Sequence, residues 1–448
     1  MIDLDNIVLS PQQKIVFDAM MEGKNVALFG DAGSGKSVIV KKFLQEKARS
    51  GDVVCLTPTG LAARNIGQAQ TIHSFFSIDP GCVGDLSPLN RRLLNILPKV
   101  RTILIDEISM VRSDLFDIME QCLRLVPIDD NFAPFGGRQI IVVGDFKQLP
   151  PVVSDEHIAE FLEYYYNGEY AFKSKAWLQA DFLNYYLEGT FRQDSDNYYH
   201  ILQNIRYGIN IVASFRELNQ QVFPLSPGSG LLANPKTLAL CSRKVLASEI
   251  NRKLMSYIPG KEYLFEASVK GKFPINEYPT DHNLKLKIGT KVMILANKKE
   301  TIQANDLEYE YVNGDIGKIV AMYDDAIIVR LGNDKSITVQ KNTWNYYEYD
   351  LVEVNGEVKI EARIVGSFCQ FPVAIAYAST IHKAQGQTLN SVYVVLGKGC
   401  FAPGQLYTAL SRVRNLDCLF LASDLRMTDI IPDPMVDEFY HTRIWEPL

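Results

Sequence analysis

Gly30-Asp-Ala-Gly-Ser-Gly-Lys36-Ser37 stands between an apolar run, Asn25-Val-Ala-Leu-Phe29, and apolar residues at helical spacing, Val38, Ile39, Val40, Phe43 and Leu44. The order is strand, glycine-rich loop, helix, and few folds accept it. Glycines allow successive backbone N–H groups to curl around phosphates, and the helix N-terminus adds partial positive charge. Gly30, Ala32, Gly33, Ser34 and Gly35 are therefore expected to cradle a nucleoside triphosphate, ATP. Lys36 would reach its β- and γ-phosphates, and Ser37 would hold Mg²⁺.

The same strand-then-helix texture recurs. Val53-Val-Cys-Leu56, Thr102-Ile-Leu-Ile105 and Gln139-Ile-Ile-Val-Val143 are short and continuously apolar, as strands of a parallel sheet covered on both faces are. Thr237–Leu240, a helical stretch Val245–Leu254, Ser391–Leu396 and Cys418–Leu421 predict a second α/β unit. Between Leu286 and Cys369 the texture changes to short strands and tight turns, including Asn313-Gly314 and Gly332-Asn333-Asp334, which predicts a small inserted β-barrel. The expected organisation is α/β. A first domain covers 1–181, a second 182–285 and 370–448, and the β insertion 286–369. A length of 448 residues accommodates this division.

Chemistry concentrates at strand ends. Ile103-Leu-Ile-Asp106-Glu107 ends an apolar strand in two carboxylates, at the edge where α/β sheets bind ligands. Asp106 is placed for the Mg²⁺ shell, and Glu107 to take a proton from an attacking water. Gln148, in Gly144-Asp-Phe-Lys-Gln-Leu-Pro-Pro151, follows a third strand and could sense the γ-phosphate. Gln13, in Leu9-Ser-Pro-Gln-Gln13, has an amide able to donate to and accept from the adenine N6/N7 edge. Arg192, in Thr190-Phe-Arg-Gln193, and Arg412, in Tyr407-Thr-Ala-Leu-Ser-Arg412, lie in the second unit. Either could bring positive charge to the γ-phosphate from a moving part. A small-substrate phosphotransferase would leave the second unit, both arginines and Glu107 without a purpose.

The net charge of −6 argues only weakly against a nucleic-acid partner, because such partners are held by local channels. The seven scattered cysteines form no C-x-x-C pair and read as buried apolar residues of a reducing compartment. The acidic N-terminus, Met1–Asn6, is neither a secretory signal nor a mitochondrial presequence, and no apolar run is long enough to span a bilayer. The expectation is a cytoplasmic monomer without membrane contact, of bacterial or phage origin.

These blocks resemble, in order, those of the PIF-type DNA helicases of superfamily 1B, relatives of the RecD and Dda enzymes. The matching stretches run from Leu9 to about Ser423. They include Thr57-Pro-Thr-Gly-Leu-Ala-Ala63, Thr71-Ile-His-Ser-Phe75, Asp106-Glu-Ile-Ser-Met110, Pro134-Phe-Gly-Gly137, Val312-Asn-Gly314 and Ser379-Thr-Ile-His-Lys-Ala-Gln-Gly386-Gln-Thr388. The resemblance implies two RecA-like domains with ATP between them, and single-stranded DNA across their tops. It implies 5′→3′ travel, Mg²⁺-ATP dependence, and action on forked or structured DNA. It makes the β insertion SH3-like and the segment Ser77–Asn95 a short wedge. Gly386 would border the nucleotide, and Thr57, Thr59, His73, Phe75, Pro150, Ser379 and His382 would line the DNA path. These side chains are hydrogen-bonders and rings able to grip phosphates and bases without reading sequence. The pattern departs at Ser242-Arg243, where the family usually carries an asparagine. A translocase that remodels protein–DNA complexes with little strand separation is the alternative reading.

Overall fold

A computed structural model describes residues 8–448 apart from 48–50, 60–61, 63–65, 67–68, 79–90, 130–132, 154, 190–195, 225–236, 274, 276–277, 297, 303–305, 312–314, 333 and 355–356. Arg192, the 312–314 turn and most of the expected wedge lie outside the described residues. Among the described residues no helix is long and apolar enough to cross a membrane.

Six parallel strands form the first sheet: β1 (Val26–Gly30), β2 (Val53–Thr57), β3 (Ala69–Thr71), β4 (Thr102–Ile105), β5 (Gln139–Gly144) and β6 (Leu183–Leu187), in the order β3-β2-β4-β5-β1-β6. β1, β4 and β5 are buried along their whole length, which is why they read as unbroken apolar runs. They are also neighbours. The glycine-rich loop, Asp106 and Asp145 therefore leave adjacent strands on one edge of the sheet.

Local chemistry fixes the flanking pieces. The helix Pro11–Met21 begins on a capping box: the Gln13 N–H donates to the Ser10 hydroxyl at 3.2 Å, and the Ser10 N–H donates to the Gln13 side chain at 3.0 Å. In the Phe-Gly-Gly block, Phe135 and Gly136 adopt positive φ. The buried Arg138 donates to the carbonyls of Leu97, Val100, Leu123, Val126 and Phe135. One guanidinium thus gathers the carbonyl-rich ends of three segments.

The second α/β unit has four parallel strands, ordered Ala378–Thr380, Thr237–Cys241, Ser391–Val395, Leu419–Leu421. The helix Asp196–Tyr207 packs Tyr198, Ile201, Leu202 and Ile205 into its core.

Two boundaries differ from expectation. β6 belongs to the first sheet, and the chain's end packs on the first unit. The helix Pro434–Thr442 buries Val436 and Phe439 in the first core, where Phe439 meets Phe29, Phe146 and Phe172. The Glu446 N–H donates to the Asn184 carbonyl at 2.8 Å. An aromatic cluster this dense outweighs proximity in sequence.

The all-β unit also begins earlier than 286. Tyr263–Glu266 pairs with Asn283–Leu286, and Ser268–Gly271 pairs with the long hairpin strand Glu357–Gln370. Phe265, Leu284 and Leu286 share a core with the five-stranded antiparallel sheet built on Lys291–Ile294, Ile316–Met322, Ala326–Leu331, Ser336–Gln340 and Val373–Ile375.

Candidate active site

Gly30 ends β1 where a Cβ would lie 2.4 Å from the Leu187 carbonyl, so no side chain fits there. Inside the curl that follows, Lys36 Nζ donates to the carbonyls of Gly30 (2.7 Å) and Asp31 (2.8 Å). Burial lowers the Lys36 ammonium to about 8. Gly33 and Gly35 take positive φ, and Ser37 is exposed at the start of the helix. Gln13 is buried, and its side-chain carbonyl is engaged by the Ser10 N–H of the cap.

At the end of β4 Asp106 accepts the Glu107 N–H at 2.9 Å. Burial, then the neighbouring Glu107 charge, raise Asp106 to about 7. Glu107 itself sits at φ 56°, ψ 45°, a left-handed backbone that costs a non-glycine residue roughly 1–2 kcal/mol. Such strain persists where surrounding contacts over-determine it. Here the second unit supplies them: Gln385 Nε2 donates to Glu107 Oε2 and Ser109 Oγ, both at 3.0 Å.

Three further contacts cross from the second unit. Arg412, 1 % exposed, donates from Nη2 to Gln148 Oε1 at 3.3 Å, while its own helix and Gln387 hold the other nitrogens. Tyr407 presents its hydroxyl to the Ala32 N–H of the glycine-rich loop at 3.1 Å. Gly404 (φ 67°) lies so close to the Asp145–Gln148 loop that a Cβ would sit 2.3 Å from the Gln148 carbonyl. Two units thus meet around one phosphate-sized loop, and the second supplies both the amide that holds the Glu107 carboxylate and the arginine that reaches Gln148.

A PIF1-like helicase family model matches residues 8–214. The chain is 31 % identical to the ATP-dependent DNA helicase Pif1 of Bdellovibrio bacteriovorus over 97 % of its length and 92 % of that protein. It is also 31 % identical to human ATP-dependent DNA helicase PIF1, of which it spans 64 %. The chain belongs to the PIF1-like helicases. Its backbone matches the crystal structure of Bacteroides Pif1 bound to ssDNA at a TM-score of 0.81, and the unliganded Bacteroides Pif1 structure at 0.65, each at 30 % identity and with 97 % of both chains covered. It is an ATP-dependent DNA helicase with a two-domain RecA-like fold.

In this helicase the residues expected along the DNA path are not equally accessible. Phe75 is a core residue: 2 % exposed, it meets Phe76 edge-on at 5.0 Å inside the first unit. The expectation that it lines the DNA path is corrected accordingly, because the short helix Ile72–Phe76 turns that face inward and keeps His73 at the half-buried boundary. Thr57 and Pro150 are buried as well. Thr57 donates to the Thr59 carbonyl at 2.9 Å, so Thr59 and Val152 present the surface at those strand ends. Ser379 and His382 are half-buried, and burial lowers the His382 pKa. Gly386 takes φ 76° just beyond Gln385.

Several residues that gather beside these in the structure carry no site role in the sequence reading. Gln385 and Tyr407 lie inside recognised blocks without having been singled out. Arg243 stacks on Phe401 (4.9 Å), which lies parallel to His382 (5.9 Å). Asp31, Asp145 and Arg206 form a buried ion cluster. Burial pushes the Asp145 carboxyl up, but the charges of Arg206 and Lys36 outweigh it and hold the group below its ordinary value. Arg206 sits on an amphipathic helix, where nothing in the sequence separates it from a surface cation.

Proposed function

We propose that this helicase travels 5′→3′ on single-stranded DNA and separates forked or duplex DNA, one cleft closure for each ATP hydrolysed. The observation that carries the reading is the set of bonds across the cleft, Gln385 to Glu107 and Arg412 to Gln148. The higher similarity to the ssDNA-bound Bacteroides structure than to the unliganded one supports single-stranded DNA as the partner of this arrangement.

Lys36 and the loop amides bind the phosphates. Glu107, aimed by Gln385, accepts the proton of the attacking water. Arg412 stabilises charge on the γ-phosphate, and Gln148 reports its loss. Arg192 is proposed as a second such arginine. The Ser37 hydroxyl and the Asp106 carboxylate suit a hard divalent cation: Asp106 is a desolvated carboxylate beside another, a repulsion that a cation relieves. Mg²⁺ held there would neutralise developing phosphate charge. On the second unit, exposed Lys244 and Lys383 flank Arg243, His382 and the half-exposed Phe401, a basic and aromatic surface suited to phosphates and unstacked bases. The working unit is taken as a cytoplasmic monomer.

ATPase activity with and without single-stranded DNA, beside unwinding of duplexes with a 5′ or a 3′ tail, tests this. DNA-stimulated ATPase and unwinding from the 5′ tail are expected. Unwinding only from a 3′ tail refutes the direction. Stimulation without strand separation establishes the remodelling translocase instead.

A further inference from the structure

Arg206 belongs to the second unit by its helix and to the first by its charge. Its neighbours Tyr198, Ile201, Leu202 and Ile205 lie in the second core. Its guanidinium is buried in the first unit's carboxylates. Nη1 bonds Asp145 and lies 3.1 Å from the Tyr407 hydroxyl, while Nε is 3.7 Å from Asp31 Oδ1. The rings of Tyr186, Tyr207, Tyr407 and Tyr440 surround it at 5.4–5.8 Å. Nε and Nη2 are buried and make no hydrogen bond among the described residues.

Both carboxylates sit at the ATP site. Asp31 is the second residue of the phosphate loop and accepts from Tyr186 Oη (2.7 Å), Tyr199 Oη (2.9 Å) and the Gly189 N–H (3.2 Å). Asp145 opens the loop that carries Gln148, and accepts from Tyr440 Oη at 3.2 Å. Lys36 is close enough for its charge to be felt with those of Asp145, Arg206 and Asp31. Lys36 itself donates to the backbone carbonyls of Gly30 and Asp31, and the cation that meets both carboxylates among the described residues is Arg206. In a buried site that pairing is strong, and an unpaired charge there is costly.

We infer that Arg206 is a positioning residue that couples closure of the two α/β units to the ATP site, by reaching from the second unit to Asp31 of the phosphate loop and Asp145 at the end of β5. The inference rests on the proposed ATP-driven cleft closure and adds the group that links the two. Nothing in it depends on polarity or strand separation.

The test uses the full chain with dyes at exposed Leu178 and Val212, one on each unit, attached through unnatural amino acids. Energy transfer is read on adding a non-hydrolysable ATP analogue without DNA. ATPase is measured with saturating single-stranded DNA. The wild type is expected to shift. Arg206→Met should lose the shift and lower kcat at least tenfold, with KM for ATP changed less than threefold. Arg206→Lys should restore part of both. If Arg206→Met does not fold, Asp31→Asn, which keeps the shape and removes one charge, should reduce the shift in the same direction. A wild-type-like shift in Arg206→Met, or in Asp31→Asn where the first cannot be made, overturns the inference alone. No shift in the wild type overturns the closure reading along with it. A kcat that falls only with the folded fraction means that Arg206 is merely structural.

Discussion

Gln385 Nε2, on the second unit, lies 3.0 Å from Glu107 Oε2 on the first and holds a carboxylate whose backbone is left-handed. Gln385→Ala should leave KM for ATP nearly unchanged and lower DNA-stimulated kcat by roughly 10- to 100-fold, the value of one hydrogen bond to a charged group. Gln385→Glu, setting carboxylate against carboxylate, should lose more. Steady-state ATPase assays decide, and equal losses in the presence and absence of DNA would place the defect in folding.

Glu107→Gln should still bind ATP and DNA. Its turnover should fall by about 10²- to 10⁴-fold, the range of a positioned general base. Nucleotide binding and single-turnover hydrolysis measured on the same preparation separate the two effects. Near-normal hydrolysis would mean that the base lies elsewhere.

Gly404→Ala should hinder closure. Its new Cβ would lie 2.3 Å from the Gln148 carbonyl, at φ 67°. The fold of each unit should survive, since the clash is between them. DNA-stimulated ATPase should fall by about tenfold or more, because small misplacements of reacting groups carry such penalties. Thermal unfolding measured in parallel should change little.

Lys36 gives a signed pH dependence. Burial lowers its folded value from 10.5 to about 8, so between these limits the unfolded chain binds the additional proton. The contribution of Lys36 to stability therefore rises with pH across that window. Phosphates favour the ammonium form, so ATP binding near pH 8.5 should take up a fraction of a proton, and near pH 6.5 none at this group. Calorimetry in two buffers of different ionisation enthalpy measures the uptake. Equal binding enthalpies in both buffers at pH 8.5 would refute it.

Phe439→Ala should destabilise the first unit by about 3–5 kcal/mol, as expected for a buried phenylalanine. Its ring lies 4.4 Å from Phe172 and 5.0 Å from Phe146. Urea unfolding followed by tryptophan fluorescence reads this directly, because Trp177 and Trp445 share the cluster. An unchanged midpoint would detach the C-terminal helix from that core.

Much of this was legible beforehand for a physical reason. Buried parallel strands such as β1, β4 and β5 must be apolar throughout, and phosphate loops must be rich in glycine, so both announce themselves locally. Glu107 and Arg412 can be proposed for the site because their residue types and neighbours repeat a known chemistry, and the fold brings both beside the phosphate loop. Arg206 was not, since a helical arginine looks the same whether it meets water or two aspartates. Phe75 is hard to place for the converse reason: an aromatic beside a polar strand end can face either way, and here it packs against Phe76. The boundaries near 181, 286 and 434 escaped because strand pairing and aromatic packing there link segments far apart in sequence.

The return of the C-terminal helix to the first core means that the chain passes between the α/β units twice, once after Leu187 and once before Pro434. The Glu446–Asn184 hydrogen bond then holds the returned segment against β6, within the first unit. A body joined by one connection is tethered at one point, but one joined by two is tethered at two, and its excursions from the partner are shorter. Covalent connectivity alone thus keeps the second unit near the phosphate loop, before nucleotide or DNA makes any contact.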